Sequence, residues 1–154
     1  DKSQQLSEVT PLVSGSPQVS NVVIASPTAT EKNTNANLIL KSCIDTLYID
    51  IHIIPCTELP PPTAAVVITN RAGVQICSCI THFDKLHLTP GQTSIRLILP
   101  EIPLLKGDYE IDAFLLCENA IHVYQHVRNV ASFQITQNHL EPGVVHIPRK
   151  WEHR

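Results

Sequence analysis

The sequence predicts an all-β fold, namely an antiparallel β-sandwich of the immunoglobulin-like or jelly-roll kind. Twelve prolines against five glycines, together with few aromatic residues, indicate short strands separated by proline-containing connections. Apolar and polar residues alternate with a period of two, as in strands that bury one face. Roughly ten such segments follow one another without a long helical pattern between them, which is typical of two packed sheets.

Polar or proline-containing connections divide the first half of the chain into five predicted strands. The third strand alternates most clearly, because leucine or isoleucine occupies every second position from 47 to 53. The prolines at 60–62 belong to a connection, since proline cannot donate to a strand ladder. Asn70–Gly73 has the composition of a turn. The five strands are Val19–Ser26, Leu38–Ser42, Thr46–Ile54, Ala64–Thr69 and Val74–Thr81.

Five more strands are predicted in the second half of the chain. A Thr-Pro-Gly turn at 89–91 precedes the first of them, and Glu118–Ala120 has the length of a short hairpin loop. Leu105–Tyr109 resembles the tyrosine corner of immunoglobulin-like sandwiches, in which the phenol hydroxyl bonds to backbone upstream. The five strands are Thr93–Leu99, Asp108–Cys117, Ile121–Val127, Ala131–Thr136 and Gly143–Ile147.

Length and composition indicate one soluble domain. A net charge of −3 and an apolar fraction of 43% argue against a disordered chain and against a basic nucleic-acid binder, and no apolar run is long enough to span a bilayer. Residues 1–17 predict a linker or loose edge, and residues 18–154 the sandwich. The lack of methionine indicates a piece of a longer protein or a processed chain. Five cysteines, with Cys77 and Cys79 one residue apart, favour a reducing compartment.

Motifs of common enzymes are missing from the sequence. It contains no G-x-x-x-x-G-K-[ST] loop, no G-x-S-x-G and no H-E-x-x-H. The histidines and cysteines lack the spacing of a structural zinc site, so we expect no metal and no cofactor. A glycosidase needs two facing carboxyls, and the spacing of Asp50, Glu110 and Asp112 does not select such a pair. We expect no enzymatic activity in this chain, and a sandwich glycosidase or lyase is the alternative.

Aromatic, acidic and basic side chains on the polar faces of strands suit a sugar ligand. An aromatic ring, a carboxylate and an imidazole alternate on the outer face of the third strand, where they offer stacking and hydrogen bonds to hydroxyls. An arginine facing outward would suit a carboxylate or phosphate on that ligand, and the sequence leaves open a methyl, a phosphate or an acidic sugar as the recognised group. The predicted glycan-binding residues are Tyr48, Asp50, His52, Arg96, His122 and Tyr124.

Three stretches in the last third of the chain carry a family resemblance. They are Leu104–Ile111, Asn129–Ile135 and Gly143–Trp151, and the ending with a glycine, two valines, proline and tryptophan is the most specific. Together they resemble the C-terminal carbohydrate-binding domain of the Wzt-type ATP-binding subunit of bacterial O-antigen ABC exporters. The Thr93–Leu99 strand with its Thr-Pro-Gly turn fits the same family.

The resemblance implies a specific role and assembly. Such domains are immunoglobulin-like sandwiches that recognise the modified non-reducing end of a lipid-linked O-polysaccharide. They lie in the cytoplasm at the inner-membrane exporter of a Gram-negative bacterium, behind a nucleotide-binding domain that makes the parent protein an ATPase and beside the membrane subunit. They form homodimers that exchange the C-terminal strand, here Gly143–Ile147, so that Val144, Val145, Ile147 and Trp151 would lie at the interface. The alternative is a structural or dimerising sandwich without a glycan ligand.

Overall fold

Eight strands make up the regular structure of the computed structural model, which describes residues 15–31 and 37–154. The predicted linker lies outside the described residues as far as residue 14, and its last residues, Ser16 and Pro17, are buried. No helix in the described ranges is long and apolar enough to cross a membrane. The strands are β1 (Gln18–Ala25), β2 (Leu38–Lys41), β3 (Leu47–Ile54), β4 (Thr63–Asn70), β5 (Gln75–Ile80), β6 (Ser94–Leu99), β7 (Gly107–Leu116) and β8 (Val123–Thr136).

The strands form two sheets, which confirms the predicted sandwich. One sheet has three strands in the order β1-β3-β6, and the other has five in the order β2-β8-β7-β4-β5. Neighbouring strands are antiparallel except β2, which pairs with β8 in parallel. The expectation of a purely antiparallel fold is therefore wrong at this edge. A parallel pair joins strands far apart in the chain, so no hairpin signal in the sequence reveals it.

The core lies between the two sheets and follows the alternation of the strands. In β3 the residues at 47, 49, 51 and 53 are at most 3% exposed, and in β7 the inward residues from Tyr109 to Leu115 are equally covered. Burying this apolar surface on both sheets is the main stabilising contribution to such a fold. The residues between them consequently point outward, and this is what places polar side chains on the two outer faces.

One long strand, β8, replaces two predicted ones. Ile121–Val127 and Ala131–Thr136 were expected to be separate, whereas the ladder with β7 runs through both and shifts register opposite Ile111–Ala113. Asn129 adopts a positive φ of 48°, and its N–H donates to Oδ1 of Asp112 at 2.8 Å. The polar interruption in the sequence is thus a β-bulge, which adds residues to a strand without ending it.

The predicted tyrosine corner is confirmed. The hydroxyl of Tyr109 donates to the carbonyl oxygen of Leu105 at 2.6 Å, and the tyrosine ring stacks on Phe133 with centroids 5.5 Å apart. Tyr109 is buried, so this hydrogen bond satisfies a hydroxyl that would otherwise be costly to remove from water. It ties the connection that enters β7 to the core.

The predicted strand Gly143–Ile147 is wrong as a regular strand. It makes a single antiparallel bridge, between Val145 and Leu104, flanked by backbone bonds that link 144 with 105 and 146 with 103. Prolines at 103, 142 and 148 remove ladder donors on both sides, and Gly143 has a φ of 126°. The ladder therefore cannot extend beyond one bridge.

Candidate functional site

Two neighbouring strands bring three of the predicted binding residues together. Tyr48, Asp50 and His52 lie on the outer face of β3, because the residues between them are buried in the core. Asp50 stands directly opposite Arg96 in the antiparallel ladder with β6. Residues directly opposite each other on one sheet face are close enough for their side chains to interact.

The side chains of Tyr48, Asp50 and Arg96 form one contiguous group, here called the platform. Arg96 donates from Nε to Oδ1 of Asp50 at 2.7 Å and from Nη2 to Oδ2 at 3.0 Å. This is a two-pronged arginine–carboxylate contact, the geometry that makes such pairs strong and directional. The guanidinium carbon of Arg96 also lies 4.4 Å from the centroid of the Tyr48 ring, within cation–π range. Each member of the platform therefore holds another in place.

The pKa values of Asp50 and Arg96 both shift in the direction that favours the ionised form. The hydrogen bond from Arg96 is the main reason that the pKa of Asp50 lies below its ordinary value, with further help from the charge of Arg96 and from His52. The same bond raises the pKa of Arg96. Both groups are consequently ionised at neutral pH, and the platform carries one positive and one negative charge in direct contact.

Apolar side chains flank the platform on both neighbouring strands. Ile98 on β6 stands opposite Tyr48 and is 53% exposed, while Val23 on β1 stands opposite Asp50 and is 46% exposed. Neither residue belongs to the predicted glycan-binding set. The outward parity that Ile98 shares with Arg96 was a usable signal, whereas the pairing of β1 with β3 is visible only in the fold.

His122 and Tyr124 are not joined to the platform. They lie just before and within β8, which belongs to the five-stranded sheet. Tyr124 packs against the core, and its partial burial raises the pKa of its hydroxyl. His122 is exposed, and its backbone N–H donates to the sulfur of Cys117. The predicted set of six is thus divided between the two sheets.

The outer face of the five-stranded sheet carries more charged side chains, arranged differently. Nε2 of His126 lies 2.9 Å from Oδ2 of Asp112, and the imidazole stacks on Phe114 with centroids 4.0 Å apart. Arg71 and Asp108 meet at a single contact of 3.5 Å, and both are largely exposed. A shallow cavity of about 250 Å³ adjoins Arg71 and Asp108. This face offers an alternative polar surface, in which the stacked pair of His126 and Phe114 lacks the bidentate arginine–carboxylate contact of the platform.

The carboxylates of Asp50 and Asp112 are both engaged in contacts with other groups. A general acid needs a carboxyl whose pKa is raised towards neutrality. Asp50 is instead held ionised by Arg96, and Asp112 accepts bonds from His126 and from the backbone of Asn129. Their geometry therefore does not favour the glycosidase alternative.

Metal ligands do not gather in the described ranges either, where no group of three or more His, Cys, Asp or Glu residues could hold an ion. All five cysteines are free thiols. A hydrogen bond from Cys77 lowers the pKa of Cys79, its neighbour on the edge strand β5, to about 7.

The chain is thus a two-sheet β-sandwich with a polar and aromatic group on the outer face of one sheet. The chain belongs to the Wzt C-terminal domain family, whose model matches residues 21–147. Members of this family are parts of ABC exporters, and their domain is a carbohydrate-binding rather than a catalytic one. The resemblance carried by the last third of the sequence is thereby confirmed and extended towards the first strand.

A solved structure of the same family shares the fold. A crystal structure of the C-terminal domain of Wzt superposes with a TM-score of 0.70 at 12% identity, covering 91% of this chain and 85% of that chain. A β-glucuronidase from Bifidobacterium dentium, complexed with coumarin-3-O-glucuronide, gives 0.49 at 13% identity over 78% of this chain and 18% of that one. A β-glucuronidase from Parabacteroides merdae gives a TM-score of 0.44 at 7% identity and covers 77% of this chain and 13% of that chain. No curated protein matches the sequence.

Proposed function

We propose that this chain is the glycan-recognition domain of a polysaccharide exporter, and that its platform binds the modified non-reducing end of an O-polysaccharide. The observation that carries the proposal is the contact of Arg96 with both Asp50 and Tyr48 on an exposed sheet face. Groups held in this way need little further ordering when a ligand arrives, which limits the entropic cost of binding. Family membership supports the glycan as the class of ligand.

The composition of the surface also supports a sugar. A pyranose ring has an apolar C–H face and a rim of hydroxyls, and it needs apolar contact and paired donors and acceptors at once. Ile98 and Val23 supply exposed apolar area, and the half-buried Tyr48 adds an aromatic ring. Asp50 and Arg96 supply the polar groups. His52, beside Asp50 on the same face, adds a further hydrogen-bonding group.

The role in export extends this proposal to partners. The domain would act in the cytoplasm, following a nucleotide-binding domain of the same protein and next to the membrane subunit of the exporter. By binding only a finished chain end, it would restrict transport to completed polysaccharide.

A titration with O-polysaccharide from the strain that encodes the protein tests the proposal. Calorimetry is run with the intact polymer and with a polymer whose non-reducing terminus has been removed enzymatically. We expect binding to the intact polymer alone. Equal binding to both polymers would contradict end recognition, and binding to neither would favour a structural or dimerising sandwich.

A homodimer with an exchanged C-terminal segment is the second proposal. Ile147 is 71% and Trp151 94% exposed, and Val144 and Val145 are also partly open. Exposed apolar side chains at one end of a chain are typical of a protein interface. The bonds between segments 103–105 and 144–146 are short and few, so a second copy could supply the same partners.

Light scattering during size-exclusion chromatography measures the assembly directly. We expect a dimer for the wild-type chain and a monomer for the Trp151→Ala/Ile147→Ser variant. Phe83→Ala serves as the control, since Phe83 is also exposed but lies far along the chain from this segment. The proposal would be contradicted by a wild-type chain that stays monomeric over a range of protein concentration of about 1–100 μM.

A further inference from the structure

The outer face of the three-stranded sheet carries very few charges. Its three strands, β1, β3 and β6, contain one carboxylate, one guanidinium and one imidazole, namely Asp50, Arg96 and His52. The carboxylate and the guanidinium are paired with each other. These strands therefore present no uncompensated carboxylate or guanidinium charge at this surface.

One paired N–H edge of Arg96 is already in use, and Asp50 already compensates the charge of the guanidinium. An arginine recognises a carboxylate or phosphate by presenting two parallel N–H groups to it. In this protein Nε and Nη2 donate to Asp50, and the guanidinium carbon lies 4.4 Å from the centroid of the Tyr48 ring. An anionic ligand could take the Nε–Nη2 edge only by displacing Asp50. At the remaining Nη1–Nη2 edge it would meet a guanidinium whose charge Asp50 already compensates, with a second negative charge nearby.

The groups that remain suit hydroxyls. Nη1 of Arg96 can still donate, and the lone pairs of Asp50 that do not face Arg96 can still accept. A donor and an acceptor at fixed separation match neighbouring hydroxyls of a sugar, each of which can play either part. Ile98 and Val23 lie on either side for the apolar face of the ring.

We infer that the ligand of the platform is an uncharged, hydroxyl-rich sugar end, and that Asp50 determines this specificity by neutralising Arg96. This inference rests on the proposed glycan-binding function and narrows it. It decides against the phosphate or acidic group that an isolated outward arginine suggests. Asp50 is consequently a specificity residue in addition to a hydrogen-bond acceptor.

The first test uses inorganic phosphate as an anion probe and needs no glycan. The side-chain Nε–H signal of Arg96 is followed by NMR during a phosphate titration of the wild type and of Asp50→Asn, with Asp50→Ser as a second variant. We expect an apparent phosphate affinity at Arg96 at least about tenfold higher in both variants. The matched control on the other sheet is the phosphate response of Arg71 in the wild type and in Asp108→Asn. The contact between Arg71 and Asp108 is weak, so removing it should change this response little. Equal phosphate responses of Arg96 in wild type and variants would overturn the inference.

The second test measures the salt dependence of polysaccharide binding. Attraction between opposite charges is screened by salt, whereas stacking and hydrogen bonding to hydroxyls change little. Between about 20 and 300 mM NaCl we expect the dissociation constant of the wild type to change less than about twofold. A wild-type dissociation constant that rises fivefold or more with salt, without such a rise in Arg96→Ala, would overturn the uncharged ligand. It would leave the glycan site in place. Absence of binding at both salt concentrations would overturn the proposed function itself.

Discussion

The outer faces of the two sheets show how differently one sandwich can arrange polar side chains. On the three-stranded sheet the few charged groups meet in a bidentate pair that also contacts an aromatic ring. On the five-stranded sheet the charged groups are more numerous, and their contacts are single or are made with a histidine. That second set comprises Arg71, Asp108, Glu110, Asp112, His126 and Arg128.

The difference shows that counting polar residues does not locate a binding surface. A solvent-facing sheet is polar by default, so the abundance of charges on the five-stranded sheet needs no ligand to explain it. The platform is distinguished by a bidentate ion pair and a cation–π contact, because Asp50 orients Arg96 through two hydrogen bonds and Arg96 lies over the Tyr48 ring. Ordered groups of this kind bind with less loss of side-chain entropy than isolated ones.

Among the substitutions that test this comparison, Tyr48→Ala has the largest expected effect on polysaccharide affinity. The substitution removes the aromatic surface and also the support of Arg96, so we expect polysaccharide affinity to fall about 30-fold, in the range of a binding hot spot. Calorimetry measures the loss. Phe114→Ala is the matched control, since Phe114 is the stacked aromatic ring of the other face, and we expect a change of less than about twofold.

Arg96→Ala comes next. It removes a donor to the ligand and leaves Asp50 unpaired, and we expect a loss of about tenfold. The ratio of the two effects is informative, because an anionic ligand would depend on Arg96 more than on Tyr48. A larger loss for Arg96→Ala than for Tyr48→Ala would therefore contradict the uncharged ligand.

The pH dependence of stability separates the two carboxylates Asp50 and Asp108. The pKa of Asp50 is lowered in the folded protein, so its ion pair stabilises the fold above the unfolded pKa of 3.8 and the benefit is lost as pH falls through the lower folded pKa. We expect the difference in free energy of unfolding between wild type and Asp50→Asn to be constant above about pH 5 and to shrink below about pH 4.

Urea unfolding at a series of pH values measures this difference. Asp108→Asn is the control from the five-stranded sheet, where an exposed contact of 3.5 Å contributes little at any pH. If both variants gave the same curve, the two faces would not differ in the way that their geometry indicates.

Arg71→Ala has the smallest expected effect. Arg71 is exposed and makes one long contact, so both polysaccharide affinity and unfolding temperature are expected to stay within about twofold and about 1 °C of the wild type. Calorimetry and thermal unfolding measure the two quantities. A loss comparable to that of Arg96→Ala would place the ligand on the five-stranded sheet, beside the cavity at Asp108.

Local patterns in the chain allowed several features to be predicted correctly. The alternation in β3 separates core residues from Tyr48, Asp50 and His52, because successive side chains of a strand point to opposite faces. The tyrosine corner was also predictable, since its donor and acceptor are only four residues apart. The division of β8 was mistaken, because a bulge and a loop share the same polar residues in sequence.

What the sequence determined by itself is the all-β class, the buried face of strands with clear alternation such as β3, and the outward position of the platform residues. Only the tertiary structure decided that Asp50 meets Arg96, 46 residues away, and that His122 and Tyr124 belong to the other sheet. It also decided the parallel pairing of β2 and the single bridge at Val145. The physical reason is that alternation is a property of each strand alone, whereas register and neighbours depend on how two distant strands bury their apolar faces together.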